Sequence, residues 1–92
     1  MPEQRLASWS TRVASDVVRD GLGLELLDAK TDVVAEVFRC DADHTVTLWL
    51  ASGVGLSAET IEWFLAEACI ALVEFEDGTP LPARELWRRE RT

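Results

Sequence analysis

Apolar residues recur at steps of three and four near the start of the chain. In "RLASWSTRVASDVVRD", Leu6, Trp9, Val13 and Val17 are spaced in this way, with Ala14 and Val18 beside them. The spacing predicts an amphipathic helix over roughly residues 5–20. Arg5, Arg12, Asp16, Arg19 and Asp20 take its wet side. Gly21 and Gly23 then stop it, because glycine accepts the left-handed conformation that closes helices.

The pattern then shifts. "LGLELLDAKTDVVAEVFRCDADHTVTLWLAS" is rich in Val, Leu, Thr and aromatics and is broken by "DAKTD" and "CDADH". It predicts three strands, at about 22–27, 33–40 and 44–51. Links this short imply antiparallel hairpins, since a parallel pair needs a long crossover. In the third strand Val46, Leu48 and Leu50 point one way and Thr45, Thr47 and Trp49 the other. The first set faces the helices; the second, half polar, faces water or a partner. The middle strand is ambiguous, because Val33, Ala35 and Val37 alternate with Val34, Glu36 and Phe38, and both sets are apolar enough to bury.

"SGVGLS" is a glycine-bearing loop, and Ser57 is a good N-cap with Glu59 in the first turn, where the helix dipole favours a negative charge. The helix it opens runs to about residue 76, where "DG" and "TPLP" stop it. "ARELWRRER" makes at most a short helical piece, marginal on its own. The expected fold is therefore α+β, a two-layer sandwich in the order α-β-β-β-α. A three-stranded antiparallel meander carries two helices on one face. Residues 1–79 form the domain and 80–92 a basic C-terminal tail.

The last helix carries two apolar lines. With Ile61 as zero, Phe64, Leu65, Ala68, Leu72 and Phe75 fall within roughly 60° and form the core stripe, bordered by Cys69. Trp63 and Ile70 fall on the far side, among Glu59, Ala66, Glu67 and Glu74. A large aromatic and a branched aliphatic rimmed by charge have the anatomy of an interface. Two covers suit this patch. One is the tail, with Leu86 and Trp87 over Trp63 and Ile70 and with Arg84, Arg88 or Arg91 meeting Glu59, Glu67 or Glu74, within one chain or across a homodimer. The other is an external client.

Charge sharpens that picture. The 92 residues are 48% hydrophobic and 28% charged, a globular composition, with a net charge of −8. From Pro80 onward four arginines against two glutamates give +2, which leaves −10 for the rest of the chain. An acidic body argues against nucleic acid and anionic membranes as partners and suits a basic protein client. No apolar run approaches the roughly 20 residues that span a bilayer, and "MPEQRLASWS" has no apolar signal core. A cytoplasmic protein is expected. Two cysteines, Cys40 and Cys69, are too few for a disulfide framework and read as small buried hydrophobes.

The candidate chemistry is thin. "SGVGLS" lacks the lysine and spacing of a phosphate-binding loop. "CDADH" gathers Cys40, Asp41, Asp43 and His44, which suits a polar hairpin turn. A zinc site wants four ligands at recognisable spacing, and a thiol nucleophile wants the imidazole within reach and a third group to orient it. His44 is the only histidine. No cofactor and no metal is expected. A small enzyme using Cys40 and His44 is the alternative class, and an acidic mimic of nucleic acid another.

Helix, three strands, helix is also the order of the double-stranded RNA-binding domain, whose G-x-G-x-S stretch leads into its last helix. Gly53, Gly55 and Ser57 stand in that arrangement, so the chain is similar to that family in coarse topology and over about six residues. The family holds phosphates with lysines at the start of the helix, whereas Ala58, Glu59 and Glu62 stand at the matching positions. Carboxylates there repel RNA, so the likeness implies a fold and not RNA binding. The function expected is non-enzymatic protein–protein binding, as an adaptor, an antidote or a chaperone-like subunit. The expected interface residues are Glu59, Trp63, Glu67, Ile70, Glu74, Trp87 and Arg88, with Trp49 on the open sheet face as a second surface.

Overall fold

The computed structural model describes residues 8–91. Strands β1 (Ser10–Asp16), β2 (Gly21–Leu27), β3 (Val33–Cys40) and β4 (Thr45–Leu50) are followed by helix α1 (Ala58–Leu72). A single 3₁₀ turn (Arg84–Leu86) then leads into β5 (Arg88–Arg91). The five strands form one sheet in the order β1-β2-β3-β4-β5. The first four pair antiparallel, and β5 lies parallel to β4 after the helical crossover. The fold is α+β, and no described helix is long and apolar enough to cross a membrane.

Three expectations about the architecture are corrected. The segment expected to be the first helix contains β1 instead; Leu6 lies outside the described residues. "STRVASD" also alternates at period two, and as a strand it gains a full antiparallel ladder with β2, from Ser10↔Leu27 to Asp16↔Gly21. Val17 and Val18, which had completed the helical stripe, are exposed at the hairpin turn instead. Second, the described residues hold one helix on the sheet, not two, and five strands, not three. Third, Arg88–Arg91, part of the stretch expected as a tail or helical turn, is an edge strand of the sheet. The order that resembled the RNA-binding domain is therefore not the order found.

The meander itself stands where the alternation put it. Leu24 and Leu26 of β2, Ala35 and Val37 of β3, and Val46 and Leu48 of β4 turn towards α1 and are buried against Phe64, Leu65, Ala68 and Leu72. Trp87 and Phe75 complete this core. A register shift beside Leu26 and Leu27 settles the ambiguous start of β3. Val34 joins the core, while Val33 turns to the opposite face with Glu36 and Phe38.

Helix α1 starts as expected. The Ser57 hydroxyl accepts from the Thr60 amide at 3.1 Å and bonds the buried Thr60 hydroxyl at 2.9 Å. It ends four residues early, at Leu72. Val73 adopts φ 58° and ψ −74°, and the Glu74 amide donates to the Leu72 carbonyl at 2.6 Å. That is a γ-turn of the rare positive-φ form, which a β-branched residue enters only under strain. The chain then doubles back, Glu74 bridging Pro80 and the Phe75 amide donating to the Thr79 carbonyl. This small hairpin, not a longer helix, buries Phe75.

Candidate functional site

One face of the sheet carries α1, and the other carries no helix among the described residues. Strand alternation sends Arg12, Glu25, Glu36, Trp49 and Glu90 to this open face. The register joins them in a single row across all five strands: Arg12↔Glu25, Glu25↔Glu36, Glu36↔Trp49 and Trp49↔Glu90. The next row runs Ala14↔Gly23, Gly23↔Phe38, Phe38↔Thr47 and Thr47↔Arg88. From these rows Glu25, Glu36, Phe38, Thr47, Trp49, Arg88 and Glu90 line a concavity of about 580 Å³, together with Arg19, Val33, Cys40, Asp43 and Thr45.

Adjacent glutamates across two strands repel one another. Each has its own cation here. The Arg12 guanidinium donates to Glu25 from Nε at 2.8 Å. Arg19, from the β1–β2 turn, reaches back over the sheet and grips both oxygens of Glu36, at 3.0 and 3.1 Å. It also donates to Asp16 at 2.6 Å, and its guanidinium lies 3.9 Å from the Phe38 ring centroid. The Glu36 bond, with Asp16 adding to it, holds Arg19 still further above its ordinary range despite partial burial. In return Arg19 holds the Asp16 carboxyl below its ordinary value.

Two glycines make this arrangement fit. A Cβ on Gly21 would stand 2.0 Å from the Arg39 carbonyl oxygen and 2.7 Å from the Phe38 ring; one on Gly23 would stand 2.6 Å from a Glu36 carboxylate oxygen. Both glycines lie inside β2, where the missing side chain leaves space for a close neighbour. Locally they read as a helix stop, which hides the open-face roles of Arg19, Glu25, Glu36 and Phe38, while Glu90 is placed only by the β4–β5 pairing. Two glycines alternating with leucines were the available signal.

The expected interface residues fall in several places. Trp49 is half-buried in the open face and Arg88 exposed beside it, opposite Thr47. Trp63 is half-buried and packs against the core, whereas Ile70 is 72% exposed. The expected apolar line is thus split, and just past the helix end Val73 is also exposed, at 66%. Glu59 and Glu74 are exposed and Glu67 half-buried. Trp87 is in the core, its indole N–H donating to the Pro82 carbonyl at 3.0 Å, while Leu86 points outward. Of the tail arginines, Arg84 reaches Glu62 at 3.3 Å.

Cys40 and His44 are engaged elsewhere. The Cys40 thiol donates to the Arg19 carbonyl at 3.4 Å, at the edge of the open face. The His44 imidazole meets Asp77 at 2.9 Å and packs tilted against Phe75, with ring centroids 4.7 Å apart. Asp43 is held below the ordinary aspartate range by the Thr45 hydroxyl first and Cys40 second. Both cysteines are free, and among the described residues no three His, Cys, Asp or Glu side chains converge on a metal position.

No protein-family model, curated protein or solved structure matches the chain.

Proposed function

We propose that the protein is a non-enzymatic binding module that docks another protein on the uncovered face of its sheet. One observation carries this reading. The open face is a concavity of about 580 Å³ in which the half-buried indole of Trp49 stands between Glu36 and Glu90. An aromatic anchor inside a charged rim is the composition of a recognition surface. The strands beneath it are held by the core, so the surface is preorganised and loses little entropy on docking. The acidic body favours a basic client, as an adaptor, antidote or chaperone-like subunit would meet. The different partners of Cys40 and His44 weigh against a thiol enzyme. Two free thiols accord with a cytoplasmic location.

The test is capture of cross-linked partners from the native cell with two variants. Thr47→Tyr fills the concavity with a ring that strands accommodate. Ile70→Asp alters only the outer side of α1. A protein retained by the parent and by Ile70→Asp but lost with Thr47→Tyr is the expected result. A partner set unchanged by Thr47→Tyr contradicts the reading.

A second reading has its own observation. Ile70 in the last turn of α1 and Val73 just past its end, 72% and 66% exposed, leave an apolar strip at the C-terminal end of the helix. We propose that this strip supports self-association as a homodimer. Sedimentation of Ile70→Asp should then give a lower mass than the parent; equal masses would exclude this strip as the interface.

A further inference from the structure

The open face already contains one worked example of how it treats a cation. Arg19 lays its guanidinium 3.9 Å from the Phe38 centroid and places two N–H groups on the Glu36 carboxylate. Aromatic plane and carboxylate together form a site matched to a planar, delocalised cation. One strand over, the same two components recur without their cation. Trp49 follows Phe38 on the open face, flanked in register by Glu36 and by Glu90. Its indole is half-exposed, and no ion pair among the described residues takes up Glu90. Arg88, the β5 cation that lines the concavity with Glu90, lies on the side of Asp43, where it adds to the Thr45 and Cys40 hydrogen bonds that hold that carboxyl below its ordinary range.

We propose that the open face binds an extended basic segment of a partner protein, one arginine of which stacks on Trp49 and pairs with Glu90. The proposal rests on the open-face docking reading above and names the partner's chemistry. Charge complementarity selects this occupant. The chain carries −8 overall, so a basic segment is drawn towards it and an acidic one or a nucleic acid is repelled. The concavity of about 580 Å³ spans several strands, which suits an extended segment lying across them. Arginine is favoured over lysine because a guanidinium stacks flat on an indole while bonding a carboxylate in its own plane; a compact, strongly hydrated ammonium does this less well.

A peptide titration followed by NMR tests this. The probes are acetyl-Gly-Arg-Val-Arg-Gly-amide and the same peptide with citrulline, uncharged and nearly isosteric, in place of arginine. The arginine peptide should move the Trp49 indole N–H resonance and the amides of β4 and β5. The citrulline peptide should bind about tenfold more weakly, since both the cation–π and the ion-pair contributions are lost. Glu90→Gln, an exposed change on an edge strand, should weaken the arginine peptide by about threefold, the size of one partly exposed charge contact. Trp49→Leu should weaken it by about fivefold, provided its unfolding midpoint matches the parent's. Equal binding of the two peptides, shifts confined to the Ile70 side of α1, or no shift at millimolar peptide would overturn the proposal. Its failure is separable from failure of the docking reading: a partner lost with Thr47→Tyr but indifferent to Glu90→Gln leaves the open face as a docking surface of different chemistry.

Discussion

Arg39 of β3 caps the end of α1 by donating from Nη1 to the Leu72 carbonyl at 2.8 Å. The same nitrogen reaches the Glu74 carbonyl at 2.6 Å, and Nη2 meets Asp41 at 3.1 Å. Asp41 in turn accepts from the Glu76 amide at 2.8 Å. The helix has no basic residue in its own last turn, so β3 supplies the cation that its C-terminus favours. This link ties the C-terminal end of the helix to β3, on the face that the core already holds.

Removing that link should be costly. Arg39→Leu takes the guanidinium from the helix-end carbonyls and leaves the nearly buried Asp41, 8% exposed, with the Glu76 amide but no cation. A loss of about 3 kcal/mol is expected, as for other broken buried pairs, measured by urea unfolding. Arg39→Lys, which keeps the charge but not the fork, should lose about half of that.

Gly21 and Gly23 should respond differently to alanine. At Gly21 the new methyl meets a backbone oxygen at 2.0 Å and cannot be accommodated without moving β3. Gly21→Ala should cost more than about 2 kcal/mol. At Gly23 the close atom is the end of a flexible side chain, the Glu36 carboxylate at 2.6 Å. Gly23→Ala should cost under about 1 kcal/mol while displacing Glu36 from Arg19, visible as a shift of the Arg19 Nε–H resonance.

The γ-turn at Val73 stores strain that a glycine would not feel. Val73→Gly should raise stability by about 1 kcal/mol, read as a higher urea midpoint. No gain would mean that Val73 contributes packing that offsets its backbone.

Acid should weaken three surface contacts together. Asp77 is held below the ordinary aspartate value of 3.8 by the Thr79 hydroxyl first, then the Thr79 amide, with His44 contributing less. Asp16 and Asp43 are lowered as well, chiefly by Arg19 and by the Thr45 hydroxyl. Lowered carboxyl pKa values contribute stability that is present above 3.8 and is lost as pH falls below it through the folded-state values. Unfolding midpoints should therefore drop below that pH, and the drop should be smaller in Asp77→Asn. An unchanged acid limb in that variant would remove the Asp77 contacts from the account.

The meander was readable because its strands alternate and their links are short. "VTLWL" alone separates the core face from the open face. Ser57 announced the helix for an equally local reason. The first strand was not readable, since Trp9, Val13 and Val17 satisfy a helical period while "STRVASD" satisfies a strand period. Only the presence of β2 as a partner decides between them. Trp87 reads as a patch cover because nothing local in "LWRRER" says that Arg88–Arg91 pairs with β4 after a crossover and that Trp87 beside it enters the core. Trp49 was found from alternation, but its neighbours Glu36 and Glu90 are set by register across three strands, which no single segment encodes.

Site-specific photo-cross-linking in the native cell tests the central claim most directly. A benzoylphenylalanine probe replaces Thr47 on the open face in one variant and Ile70 on the outside of α1 in another. The account predicts an adduct with a basic partner protein from position 47, competed away by the arginine peptide. An adduct formed from position 70 alone would contradict it.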